Sequence, residues 1–129
     1  MANATALLQD YLTAFERKDI ERIETLSADH CLVEIPFLKP NRLVGKTEIL
    51  KGLSEIFATL ESIEFKLDNI EANDNQVIAE GVLKVARTGE DRQGYQLGLV
   101  AEAKSGLLQR VSLYCDARNV RPWSDKSIL

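Results

Sequence analysis

Histidine occurs once in the 129 residues, tryptophan once, cysteine twice and proline three times, and each scarcity removes a class of protein. A single histidine, His30, cannot build a His-based metal cluster, and no Cys/His spacing supplies a zinc site, so neither a metal nor a cofactor is expected. Cys31 and Cys115 stand far apart and outside any C-x-x-C spacing. They read as two reduced core thiols, with a bridge between them as the alternative. No uninterrupted apolar run approaches the roughly 18 residues of a membrane span, and the opening MANATALLQD has neither the basic stretch nor the long apolar core of a secretion signal. The expectation is a soluble, cytoplasmic protein with no membrane partner. A basic excess is also missing: 16 Lys+Arg against 20 Asp+Glu leave a net charge of −4, which gives nucleic acid no electrostatic footprint. Phosphate-cradling, dinucleotide-binding and nucleophile-elbow glycine motifs are absent from the text.

What remains is ordinarily globular, 45% apolar and 28% charged. A chain of this length fits one domain over residues 1–129 and buries roughly 65–70% of its unfolded surface, and no repeat or linker divides it. Ala4, Leu7, Leu8, Tyr11, Leu12 and Phe15 recur at helical spacing, which predicts an amphipathic helix over 4–17. Asp19 offers a capping oxygen to a second, shorter helix carrying Ile20, Ile23 and Leu26, the two meeting at a tight corner. HCLVEIPF, residues 30–37, is apolar and β-branched until Pro36 and reads as a short strand; LKPNRLVG after it reads as loop. A third helix opens near Thr47 and shows Ile49, Leu53, Ile56, Phe57 and Leu60 on one side.

From Ile63 onward the period changes to two. Ile63, Phe65 and Leu67 alternate with charged residues, Asn73-Asp74-Asn75 forms a turn, and VIAEGVLKVAR, residues 77–87, reads as a long strand with Val77, Ala79, Gly81, Leu83 and Val85 on one face. Two more strands follow, near 95–103 and 107–118, joined by a KSG turn. Helices followed by a meander of strands argue an α+β domain of order α-α-β-α-β-β-β-β, a curved antiparallel sheet with helices packed on its concave face. Ala79 and Gly81 on the inward face should leave volume unfilled beneath the helices, hence an apolar pocket; the plainer alternative is that the helices pack closer there.

Few residues carry chemistry. Tyr11 lies on the apolar stripe of the first helix, so its hydroxyl must find a partner in the core, a backbone carbonyl being the plain solution, or lose roughly 2–7 kcal/mol in desolvation. Glu34 alternates away from Val33 and Ile35 and should face the other surface of its strand; it would be a candidate acid or base only with the opposite parity. His30, where a loop becomes a strand, reads as a surface residue. Parity places Val111, Leu113 and Cys115 inward and Arg110, Ser112, Tyr114 and Asp116 outward, and the ionic row of Asp116 and Arg118 at the end of the last strand reads as sheet surface or a subunit contact. The charge-dense ERKDIERIE and TGEDRQG read as solvated surface.

YLTAFERKDIERIETLSADHCLVEIPF, then LVGKTEILKGL, and last the strands ending in GLLQRVSLYCDAR together resemble the nuclear-transport-factor-2-like superfamily, which includes SnoaL-like proteins and the ketosteroid isomerases. The resemblance runs through nearly the whole chain in element order and is specific in wording over residues 11–53. It implies a cone-shaped, cystatin-like fold around an apolar cavity and a homodimer through the outer sheet face, with Glu80, Lys84, Glu102, Arg110 and Tyr114 at or near the contact. Tyr11 falls where a ketosteroid isomerase keeps the tyrosine that donates to the dienolate oxygen, an enzyme long used to illustrate pKa-tuned catalysis. The position of that enzyme's general base is Ile35 here, and its protonated acid would fall at Gly98 or, with the register slipped by one, at Leu99. Neither isoleucine, glycine nor leucine moves a proton or donates from a side chain, so the resemblance carries the fold and not that reaction, and no catalytic residue is assigned.

Two functions fit. The first is a small-molecule-binding protein or enzyme, an isomerase, cyclase or hydrolase among the possibilities, whose cavity takes a small apolar ligand and is lined by Tyr11, Phe15, Val33, Ile35, Leu83, Leu99, Val111 and Cys115. The second is a noncatalytic dimerisation or interaction module with the interior closed. A free Tyr11 hydroxyl favours the first and one bonded to backbone favours the second.

Overall fold

A computed structural model describes residues 3–35, 41–73 and 75–115. Helix α1 (Ala4–Glu16) begins at Asn3, whose side chain accepts from the Ala6 amide, and buries the expected stripe from Ala4 to Phe15. It ends at a tight corner where Lys18 takes a left-handed φ of 57° while the amides of Lys18 and Asp19 donate back to Phe15 and Ala14. That pattern satisfies the last carbonyls of α1 and sends the chain directly into α2 (Ile20–Leu26), capped by Asp19 as its sequence position suggests.

α2 runs straight into β1 (Ser27–Glu34), three residues earlier than the composition of HCLVEIPF marks. Pro36 and Phe37 lie outside the described residues. The stretch read as loop contains a short strand, β2 (Arg42–Val44), because Leu43 pairs with Val33 of β1 and buries its side chain. α3 (Lys46–Phe57) buries Ile49, Leu53, Ile56 and Phe57. Leu60, expected on the same helix, instead opens β3 (Leu60–Ala72): Thr59 closes α3 by donating its amide and hydroxyl to the Ile56 carbonyl. Leu60 is buried all the same.

β3, β4 (Gln76–Arg87), β5 (Gln93–Lys104) and β6 (Leu107–Cys115) form the antiparallel meander. Asn73 makes the first turn by accepting the amides of Asn75 and Gln76 on its side chain; Asp74 lies outside the described residues. Ser105 and Gly106, at φ 55° and 78°, form the two-residue hairpin between β5 and β6, both residues positive as the right-handed twist of the strands demands. The six strands lie in the order β2-β1-β6-β5-β4-β3 in a curved, unclosed sheet. Helices α1 and α3 pack across one face of it, so the α+β order stands with β2 added. One pairing departs from the antiparallel pattern: β1 runs parallel to β6, with Val33 beside Val111.

Gly81 overturns the expectation of unfilled volume at its position. β3 bulges between Leu67 and Asn69 opposite Gly81, and its backbone settles onto the glycine; a Cβ there would fall on the Lys66 carbonyl and 2.8 Å from the Leu67 Cα. The space is occupied by main chain.

Candidate functional site

Seven of the eight residues named from sequence meet in one core cluster. Tyr11 and Phe15 come down from α1, Val33 belongs to β1 with Ile35 just past its end, and Leu83, Leu99 and Val111 rise from β4, β5 and β6; the eighth, Cys115, is half-buried against them. The inward register of β5 is settled: Leu99 faces the core, whereas Gly98 faces outward beneath Tyr114. Ile35 is buried in the same cluster. Among the described residues no carboxylate is buried in it, so the interior holds no general base of that type.

Aromatic rings fix the position of Tyr11. Phe15 stands edge-on to Phe57 at 5.0 Å and to Phe65 at 5.5 Å between ring centroids, and Tyr11 lies tilted 6.4 Å from Phe15. Phe57 and Phe65 were legible as apolar positions of α3 and β3 but carried no signal that they converge on Phe15. Tyr11 is 1% exposed, and among the described residues its hydroxyl has no hydrogen-bond partner, neither a backbone carbonyl nor a side chain. Burial drives the phenol well above its ordinary pKa, and the neighbouring Cys31 adds to the shift. At neutral pH the group is a neutral donor with nothing to donate to.

Cys31, inward on β1 with Val33, is free, as is Cys115. Burial pushes the Cys31 thiol up to about 11, opposed by a hydrogen bond with Ser27 and by the charge of Lys46. Ser27 is itself buried and donates to the Ile23 carbonyl at 2.7 Å. Burial alone pushes Cys115 to about 11. The titratable groups buried with Tyr11 are therefore neutral donors in apolar surroundings at neutral pH.

Glu34 faces the outer side of the sheet, as its parity indicates. It accepts from the Ser112 hydroxyl at 2.7 Å, and Ser112 in turn accepts from Arg110 Nε at 2.9 Å. Arg110 also donates to the Tyr114 hydroxyl at 3.0 Å and approaches carboxylate oxygens of Glu102 and Glu34 at 3.5 and 3.6 Å. Two open clefts flank this network, one of about 840 Å³ beside Gln76, Glu102 and Arg110, the other of about 510 Å³ beside Glu80, Gly98 and Tyr114. Both lie on the outer face, away from Tyr11. His30 is exposed, and Asp116 and Arg118 lie outside the described residues. Among the described residues no group of three metal-ligating side chains gathers, and no helix is long and apolar enough to cross a membrane.

The family model of the SnoaL-like domain matches residues 8–103. No curated protein sequence matches the chain. Solved structures similar to it include a Catenulispora acidiphila protein with a ketosteroid isomerase-like fold in complex with trimethylamine, at a TM-score of 0.79 and 12% identity over 95% of this chain and 98% of that one. A Mycobacterium tuberculosis LEH-like epoxide hydrolase aligns at 0.75 and 18% identity, covering 88% and 83%, and a putative polyketide cyclase from Pseudomonas putida at 0.73 and 17%, covering 92% and 96%. At these identities the likeness is one of fold.

Proposed function

This chain belongs to the SnoaL-like domain family, and from that premise we propose that it is a small-molecule-binding protein whose apolar interior takes a compact hydrophobic ligand through the Tyr11 hydroxyl. The observation that carries this reading is the orphaned hydroxyl. A buried donor left unmatched costs roughly 1–3 kcal/mol, and a ligand carrying one acceptor removes that cost on entry. Burial of apolar surface against Phe15, Val33, Ile35, Leu83, Leu99, Val111 and Cys115 supplies the affinity, and the single placed donor sets the orientation. Trimethylamine in the Catenulispora protein and the substrates implied by the names epoxide hydrolase and polyketide cyclase are small organic molecules, consistent with this use of the fold. Calorimetric titration with 2-acetylnaphthalene, a rigid hydrocarbon bearing one carbonyl, tests the reading. Saturable binding that weakens roughly 5–150-fold in Tyr11→Phe is expected, the cost of the unmatched donor converted to affinity. Absence of binding, or equal affinity in the variant, sinks it.

We also infer that two copies pair through the outer sheet face. Ile78 and Tyr114 are each 50% exposed there, in rows that also hold Val100 and Gly98, and are bordered by Glu80, Lys84 and the Arg110 network. Apolar centre, tyrosine and arginine, with charges at the border, is the composition of a protein interface, and the mixture of both signs suits a self-complementary twofold contact.

A further inference from the structure

β3 is the last strand in the sheet order, so one side of its backbone has no strand beside it. The corner after α1 seals the first part of that edge: the Glu16 carboxylate accepts the Phe65 amide at 2.7 Å, and the Lys18 ammonium donates to the Leu60 carbonyl. Because the Phe65 amide points away from β4, the alternation of an antiparallel ladder turns the main-chain groups of Leu67 outward too. The turn fixes the phase of the far end independently. There the Asn73 amide donates to the Gln76 carbonyl, so Ala72 and Ile70, one and three residues back, face outward. The bulge between Leu67 and Asn69 reconciles the two phases. Among the described residues nothing bonds to the outward main chain of Leu67, Ile70 or Ala72.

The side chains along this open part carry one sign. LDNIEA, residues 67–72, holds Asp68 and Glu71 and no cation; both are exposed, and neither has an ion pair among the described residues. Ile70 lies beside Ala79, yet is 41% exposed. Bulges and charges ordinarily guard an edge against pairing, and here the single sign repels a second copy of the same strand while attracting one of opposite charge. We propose that residues 67–72 form a docking edge for an extended basic peptide, which adds to the sheet as a further strand. It exchanges main-chain hydrogen bonds with Leu67, Ile70 and Ala72, sets Lys or Arg against Asp68 and Glu71, and rests an apolar side chain on Ile70. None of these residues belongs to the Tyr11 site, so failure of ligand binding there leaves the edge untouched.

Titration of the full chain with acetyl-KTKVKT-amide, followed by hydrogen exchange of backbone amides in NMR spectra, tests the edge. In the free protein the amides of Leu67, Ile70 and Ala72 are expected to exchange fast beside protected Lys66 and Glu71, and saturation with the peptide should slow all three at least about tenfold. Acetyl-ETEVET-amide should bind at least about tenfold more weakly. Acetyl-KPKPKT-amide, equally charged but deprived of two backbone donors, should bind at least about fivefold more weakly. Ile70→Pro removes one outward amide from an edge strand, where proline is tolerated, and should weaken the basic peptide about 2–12-fold. If that variant does not fold, Asp68→Lys combined with Glu71→Lys, both exposed, should weaken it at least about threefold. Protection of the three amides in the free protein, no saturable binding at millimolar peptide, or equal binding of the proline peptide overturns the docking edge. Equal binding of the acidic peptide overturns the basic partner, as does protection that appears without peptide on raising the protein concentration, which would assign the edge to a second copy.

Discussion

Gly81 of β4 lies directly beneath the Lys66 carbonyl of β3, so that one strand's bulge rests on the one residue of its partner that has no side chain. The contact is with backbone, which cannot swing aside. Gly81→Ala should therefore destabilise the fold by at least ~2–3 kcal/mol, by overpacking and partial loss of the β3–β4 ladder. Gly94→Ala is the control, since its Cβ would meet nothing nearer than Val82 at 4.0 Å, and a change within about ±0.5 kcal/mol is expected there. Urea unfolding of both variants decides; equal midpoints would remove the bulge as the reason for glycine at position 81.

Gly81 also marks the boundary of what a linear reading can see. An inward glycine denotes either empty space or close approach, and only the partner strand's bulge distinguishes them. The stripe that places Tyr11 and Phe15, and the alternation that turns Leu83, Leu99 and Val111 inward, are local periodicities and were legible, as was Cys31 as a core thiol. Leu60 continues the helical spacing of Ile56 by coincidence, because the cap at Thr59 depends on hydroxyl geometry that spacing does not encode. The parallel pairing of β1 with β6 joins residues nearly 80 positions apart, so neither it nor the Glu34–Ser112 hydrogen bond it creates leaves a mark in the text.

Alkaline pH should loosen the protein in a defined window. The thiols of Cys31 and Cys115 are pushed up to about 11 in the folded chain, against 9.0 for a free thiol. Between those values the unfolded chain has lost protons that the folded chain keeps, so the unfolded state binds fewer and stability falls as pH rises. The contribution is whole below about pH 9 and is lost on passing about 11. Tyr11, also raised, adds a further decline from about pH 10. Melting temperatures should be flat through neutrality and fall from pH 9, with Tyr11→Phe removing the steeper part and Cys31→Val flattening the first. A flat profile to pH 11 would show that the thiols ionise freely in the folded state.

Pairing through the outer face makes Ile78 a sensitive position, since it is exposed, apolar and outside the Arg110 network. Wild-type protein should scatter light as a dimer at micromolar concentration. Ile78→Asp should weaken association by about 2 kcal/mol or more, roughly 30-fold, while leaving the melting temperature of the isolated subunit unchanged. A wild-type monomer at every accessible concentration contradicts the pairing.

Tyr11→Phe has an effect on the free protein opposite to that of most core substitutions. Phenylalanine keeps the ring against Phe15 and removes only the hydroxyl, which in the described structure donates to nothing. Deleting a satisfied hydroxyl would cost about 1 kcal/mol, whereas deleting one buried without a partner relieves a desolvation penalty of similar size. The unliganded variant should therefore be as stable as the wild type or more so, by up to ~1–2 kcal/mol. Saturation with 2-acetylnaphthalene should reverse the order, because a ligand stabilises the form it binds more tightly, by RT ln(1 + [L]/Kd). Thermal melts with and without the ketone measure both halves. A lower melting temperature for the free variant would mean that the hydroxyl has a partner in the resting protein, and the case for Tyr11 as the ligand's donor would go with it.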